Sequence, residues 1–257
     1  MELELENKRV LITGSSQGIG LQIAKHFLKE GSRVVISSRS REKLLNAENE
    51  LLSEFDADCI LSQVCDYTQV ESVNNLVEVI QKQWDGIDIV VANVGDGRGV
   101  ADPIQDNQQW ESSWSANFDT SLVTARAFFP MLESSSGTLL FISSIAALEA
   151  FGAPVAYSTA KAAVVAFSKN LARKVAGKVR VNVLAPGNVI FPESSWQEKI
   201  EKNPHRVDEL IKSTVPMKRF GTPDEIADAA VFLCSARASF ITGTVLVVDG
   251  GQTVGVF

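Results

Sequence analysis

The chain has 257 residues, 45% of them apolar and 21% charged, with a formal net charge of −7. That length suits one large domain or two small ones, the composition is that of an ordinary globular protein, and the acidic balance argues against nucleic acid or an anionic membrane as main partner. No apolar run approaches the roughly 20 residues of a membrane span, the start MELELENKRV leads straight into a strand without a signal-like stretch, and Cys59, Cys65 and Cys234 read as buried thiols of a reducing compartment rather than disulfides or metal ligands. A cytoplasmic protein is expected.

The first predicted strand, residues 9–13 (RVLIT), runs into TGSSQGIG at residues 13–20 and then a helix striped by Ile19, Ile23, Phe27 and Leu28. Gly14, Gly18 and Gly20 follow a G-x-x-x-G-x-G spacing, a variant of the dinucleotide loop. Its glycines permit a tight turn and close backbone approach, and the helix N-terminus presents unpaired N–H groups to a pyrophosphate. Ser16 and Gln17 lie within that loop and count with it as cofactor-binding. A P-loop is excluded, because no lysine follows Gly18 or Gly20.

The second strand, residues 33–37 (RVVIS), ends in Ser38, Arg39, Ser40 and Arg41. No carboxylate stands there to accept from a ribose 2′-hydroxyl. Hydroxyls and two guanidiniums take its place, so NADP(H) is favoured, held by Ser38 and Arg39, with NAD(H) the second candidate. Ser40 also suits an N-cap for a helix striped by Leu44, Leu45, Leu51, Leu52 and Phe55. The third strand, residues 59–64 (CILSQV), ends in Cys65, Asp66 and Tyr67. Asp66 either receives the adenine amino group or caps the next helix, whose stripe is Val70, Val73, Leu76, Val77 and Ile80. The fourth strand, residues 87–92 (IDIVVA), ends in Asn93, Val94 and Gly95, a small turn that lets backbone approach the cofactor ribose. Strands over 138–143 (TLLFIS), 178–184 (KVRVNVL) and 244–248 (TVLVV) complete the set. Continuous apolar runs alternating with helices predict a doubly wound α/β domain with helices on both faces of a parallel sheet. The rhythm breaks over residues 191–216, a polar excursion with Pro192, Pro204 and Pro216 that reads as a substrate-binding lid.

YSTAKAA, residues 157–163, places Tyr157 and Lys161 one helical turn apart on one face. A free phenol is a poor base at neutral pH, and a neighbouring ammonium favours the phenolate. Such a phenol can give a proton to a carbonyl oxygen as hydride arrives at carbon. Ser144, beyond the carboxyl end of the fifth strand, can polarise the same oxygen. Ser158 and Lys161 also spell the S-x-x-K of serine acylases, but the S-D-N and K-T-G companions are missing.

Together TGSSQGIG, ANVG, Asn117, Ser144, YSTAK, Pro186 and Gly187 resemble the short-chain dehydrogenase/reductase family, over residues 8–251. The likeness is to its compact, 3-oxoacyl-reductase-like members. It implies a single Rossmann-type domain on a seven-stranded sheet and a tetrad of Asn117, Ser144, Tyr157 and Lys161. Tyr157 is then the general acid/base, and Lys161 holds the nicotinamide ribose and lowers the Tyr157 pKa. Asn117 anchors a water that carries protons onward. Ile19 backs the nicotinamide, Asp66 contacts adenine and Val189 contacts the carboxamide. A homotetramer is implied, built on the Tyr157 helix, with Val164, Val165, Phe167, Leu171 and Val175 along its apolar face, and on the last strand. The chain departs from the pattern at Ala92, Val94 and Phe191, where an asparagine, an alanine and a threonine are usual. Arg98, Asn188 and Trp196 point to a polar or anionic small-molecule carbonyl or alcohol, such as a sugar derivative or a phosphopantetheine thioester. The reading of another class is a non-catalytic NADP-binding sensor on the same fold.

Overall fold

Seven β-branched runs assemble into one sheet of order β3-β2-β1-β4-β5-β6-β7 in which every neighbouring pair is parallel. The strands are β1 (Arg9–Ile12), β2 (Arg33–Ser38), β3 (Ile60–Val64), β4 (Ile89–Ala92), β5 (Thr138–Ile142), β6 (Arg180–Pro186) and β7 (Val245–Val248) in a computed structural model that describes residues 2–99 and 102–256. The chain starts at the centre, works outward to β3, then returns to β4 beside β1. That reversal opens a crevice beyond the carboxyl ends of β1 and β4.

Successive strand residues face opposite layers, so Val10 and Ile12 enter one core and Leu11 the other. The first core lies under α1 (Gly18–Lys29), α2 (Arg41–Leu52) and α9 (Pro223–Cys234), and contains Ile23, Phe27, Leu44 and Leu51. The second lies under α3 (Val70–Trp84), α5 (Thr120–Ser135) and α6 (Val155–Val175), around Leu76, Phe128 and Phe141. Each fully buried aliphatic or aromatic side chain contributes about 1.5–3 kcal/mol.

Several sequence expectations shift. The apolar stripes are narrower than predicted: Leu45, Leu52 and Val70 are 53%, 42% and 51% exposed, because an edge helix needs one line of contacts and these lie off it. Several end residues leave the predicted strands: 13, 59, 87, 88, 143, 178, 179 and 244. Cys59 sits in a short 3-10 turn and is only partly buried, while Ile87 is buried for packing just ahead of β4. Strand β6 extends through Pro186, which pairs with Val248. The excursion at 190–216 carries two helices, α7 (Ser195–Lys202) and α8 (Pro204–Thr214). Ser194 and Asn203 accept backbone N–H bonds at their starts, and Val207, Ile211 and Val215 form a small core of their own against Trp196, Ile200 and Phe220.

Candidate active site

The glycine loop is pinned from two sides. Thr13 Oγ1 accepts from the Asn93 and Val94 N–H groups, and Asn93 Nδ2 donates to the carbonyls of Thr13 at 2.9 Å and Gly14 at 3.1 Å. On the other side Ser15 Oγ accepts from the Ser37 N–H, and Ser16 Oγ donates to Ser38 Oγ at 3.0 Å. Gly18 adopts φ +57°, and a Cβ there would lie 2.5 Å from the Phe191 ring. The glycine is therefore required twice, by its backbone and by the aromatic ring laid over it.

Two contiguous clefts run from this loop and share Gly14, Gln17, Asn93, Gly95 and Asp96. One, of about 610 Å³, is lined by Ser16, Ser38, Arg39, Asp66, Tyr67 and Val94. Lys43, which sequence reasoning passed over, lines it too and donates to Gln17 Oε1 at 2.9 Å. Its signal was its place one turn into the helix capped by Ser40, whose hydroxyl accepts from the Lys43 N–H. Arg41 does not line this cleft; the cations that do are Arg39, Lys43 and Arg98. Asp66 accepts from the Thr68 N–H and hydroxyl, so it closes its own turn as well as lining the cleft. The Tyr67 phenol turns inward to Ser37 at 2.7 Å, and burial pushes its pKa well up.

The second cleft, of about 270 Å³, brings together Ile19, Gly20, Ser144, Tyr157, Lys161, Pro186, Gly187, Val189, Phe191 and Trp196. Ser143 Oγ donates to the Lys161 carbonyl at 3.0 Å, which ties α6 to the end of β5 and sets Tyr157 beside Ser144. Lys161 is 3% exposed, with Nζ donating to the Ile142 carbonyl at 3.0 Å. Asn117 is fully buried in a wide π-helical turn (Ser115–Asp119) between α4 (Asn107–Trp114) and α5. Such turns favour functional positions. Its Nδ2 donates to the carbonyls of Asp96 and Ser113, and its Oδ1 accepts from the Asp96 N–H. Both amide protons are thus spent on protein. A Cβ on Gly95 would lie 2.7 Å from Lys161 Nζ and 2.9 Å from Asn117 Oδ1, so only glycine lets the loop pass between the two.

The electrostatics differ from the simple expectation that Lys161 depresses the Tyr157 pKa. Burial pushes the phenol up, its hydrogen bond with Ser144 pulls it back, and the Asp96 carboxylate adds to the rise. Burial also pushes Lys161 down, to about 8. Asp96 was missed as a site residue because its loop reads in sequence only as flexible and charged.

A third cleft, of about 590 Å³, opens on the other side of Tyr157 and Ser144, with Asn188 and Trp196 in its wall. Arg98 is absent from this wall and lines the first cleft instead. Its guanidinium is held by Glu198 at 2.6 Å, by Asp96 at 3.3 Å and by the Glu193 carbonyl at 2.8 Å, fastening the 95–99 loop to the start of the excursion. The segment 188–190 is fixed by a parallel bridge of Val189 with Gly221. The apolar face of α6 turns largely into the second core: Val164 is fully buried, and Phe167 packs edge-on against Phe118 and Phe141.

Known proteins resemble this chain over nearly all of its length. The family model described as enoyl-(acyl carrier protein) reductase matches residues 14–253. The chain is 34% identical over 254 residues to 3-oxoacyl-(acyl-carrier-protein) reductase FabG of Aquifex aeolicus, covering 98% of this chain and 100% of the relative. It is 34% identical over 251 residues to dehydrogenase/reductase SDR family member 4 of Bos taurus, covering 96% and 88%. Among solved structures, L-sorbose reductase from Gluconobacter frateurii, complexed with NADPH and L-sorbose, superposes with a TM-score of 0.92 at 31% identity over 100% of both chains.

Proposed function

The chain belongs to the short-chain dehydrogenase/reductase family and is an NADP-favouring oxidoreductase of C=O and CH–OH groups, and from that premise we propose that it reduces a polar keto compound, a 3-oxoacyl thioester or a keto-sugar, with Tyr157 as general acid. One observation carries this reading: Tyr157 and Ser144 line both the cleft below the glycine loop and the cleft on the lid side, so a substrate entering from the lid meets the phenol where the two join. NADPH, when bound, supplies the hydride to the carbonyl carbon. The chain's own groups do the rest. Tyr157 gives its proton to the carbonyl oxygen, and a phenol whose pKa burial has raised is fully protonated for that task near neutrality. Ser144 hydrogen-bonds the same oxygen. Lys161 holds a positive charge at the floor of the site, and Asn117 keeps the Asp96 backbone against it. Consumption of NADPH with either substrate class tests the reading; no turnover of either, or turnover that survives Tyr157→Phe at full rate, overturns it.

Cofactor fit is supported by the glycine loop and by the cleft that continues from it past Ser38, Arg39 and Lys43. The 2′-phosphate is assigned to Arg39 and Lys43, with Ser38 hydrogen-bonding beside them. Arg39→Asp lowers the NADPH-over-NADH ratio of kcat/KM by about 10²-fold, the worth of one charge-assisted bond plus a new repulsion. An unchanged ratio removes Arg39 from the phosphate site.

The chain is also read as a cytoplasmic homotetramer. In support, exposed apolar side chains flank β7: Phe240 before it and Val254 and Val256 after it, each more than four-fifths exposed. Light scattering then gives four chain masses in solution; a monomer mass overturns the assembly.

A further inference from the structure

The lid-side cleft has a charge pattern that the reaction itself does not use. Lys199 and Lys202 of α7 and Arg206 of α8 line it, and no aspartate or glutamate does. The protein is acidic overall, and the two helices also carry Glu198, Glu201, Asp208 and Glu209, yet none of these lines the cleft. Glu198 pairs with Arg98, Glu201 accepts from Gln197, and Asp208 pairs with Lys212. Among the described residues none of the three cations is in an ion pair. Lys199 is steered inward by Trp196, whose ring lies 4.2 Å from its Nζ and is braced edge-on by Phe220.

The same cleft is lined by Gln252, just past the turn that follows β7. It is 5% exposed, and its Oε1 is buried with no hydrogen-bond partner. An orphaned amide oxygen costs about 1–3 kcal/mol, and the fold has spent bonds to keep the residue in place. Asp249 accepts the N–H groups of Gly251 and Thr253, while Glu149 accepts those of Val254 and Gly255, clamping the chain on both sides of Gln252. The Gln252 oxygen is closed to the cleft as the amide stands, and a half-turn that exchanges oxygen and nitrogen is what presents it there. The wall also carries the apolar side chains Ile145, Phe151, Pro154 and Leu210 alongside polar ones such as Ser195, Asn203 and Thr214.

We infer that this cleft selects keto compounds carrying a phosphate ester, whose anion docks on Lys199, Lys202 and Arg206 while a hydroxyl or amide group near the carbonyl pairs with Gln252. The inference rests on the reductase reading above and names its substrate class. Two sources offer that phosphate, a phosphorylated keto-sugar or the phosphopantetheine arm of a 3-oxoacyl thioester, and both present a hydroxyl or amide along the way.

The test compares matched pairs: acetoacetyl coenzyme A against the N-acetylcysteamine thioester of acetoacetate, and fructose monophosphate against fructose. In one pair the phosphorylated member has at least about tenfold higher kcat/KM, carried by KM and eroded by added salt, as for a charge-assisted contact at a solvent-facing rim. The preferred pair identifies the source. Lys202→Glu with Arg206→Glu collapses that ratio toward one, whereas Lys212→Glu, on the same excursion but outside the cleft, keeps it. Gln252→Leu lowers kcat/KM by about tenfold relative to its effect on ethyl acetoacetate, which offers neither hydroxyl nor amide. Ratios near one in both pairs, or a ratio that survives the double reversal, overturn the inference while the neutral members are still reduced. If neither member of either pair is reduced, the reductase reading falls and this inference with it.

Discussion

Tyr157→Phe lowers kcat by about 10²–10⁴-fold, the contribution of a positioned general acid, while NADPH still binds. The ring survives in the variant, so the packing that lines both clefts is kept and only the proton is lost. Steady-state turnover with fluorescence titration of NADPH separates the two effects. Wild-type turnover in the variant, or a loss confined to KM, removes Tyr157 as the acid. The wild-type pH profile carries a second signature. Because the phenol lies above its ordinary value, it is protonated through neutrality. Ketone reduction is accordingly flat from acid to neutral pH and falls only on the alkaline side, whereas alcohol oxidation needs the phenolate and climbs over that same alkaline range. Ser144 moderates the rise and Asp96 strengthens it, so Asp96→Asn shifts both limbs toward lower pH.

What the sequence made legible was what depends on neighbours along the chain. Strand, glycine turn and helix follow one another within about a dozen residues, so the spacing of Gly14, Gly18 and Gly20 carries its own context. The four-residue step from Tyr157 to Lys161 fixes a shared helix face in the same way. Features that depend on distant partners were not legible. Arg98 looked like a free cation on a flexible loop, but its partner Glu198 lies 100 positions away on α7, a helix that the polar, proline-marked excursion did not announce. The stripes of α2 and α3 were overdrawn because leucine and valine sit on solvent-facing positions at the sheet edge as readily as on core ones. Phe191, known in sequence only as a departure, acquires a role through one contact, its ring over Gly18. Lys43 and Asp96 both required knowledge of where a helix start and a loop are held in space.

Lys161→Met abolishes turnover and makes the protein more stable at neutral pH. The ammonium is 3% exposed and its pKa is pushed from 10.5 to about 8 by burial. A displacement of that size corresponds to a cost on the order of 3 kcal/mol for holding the charge inside at pH 7. Methionine keeps the length and apolar volume of the stem, and surrenders one hydrogen bond to the Ile142 carbonyl, about 1 kcal/mol with a partner of this kind. A net gain of about 1–2 kcal/mol remains. The sign of the pH dependence follows from the same displacement. Between about pH 8 and 10.5 the unfolded chain holds a proton on this lysine that the folded protein has released, so the term raises wild-type stability as pH climbs through that window. Cys65 and Tyr157, both raised by burial, push the other way in wild type and variant alike, so the difference between the two proteins isolates Lys161. Urea unfolding at pH 7 and pH 10 reads it: the variant leads at pH 7 and the gap closes by pH 10. A variant less stable at pH 7, or a gap that does not narrow, means that the ammonium is at home in the fold. The predicted pattern means instead that a cation is kept one helical turn from Tyr157 against the fold's own preference, which is expected of a group retained for function rather than for stability.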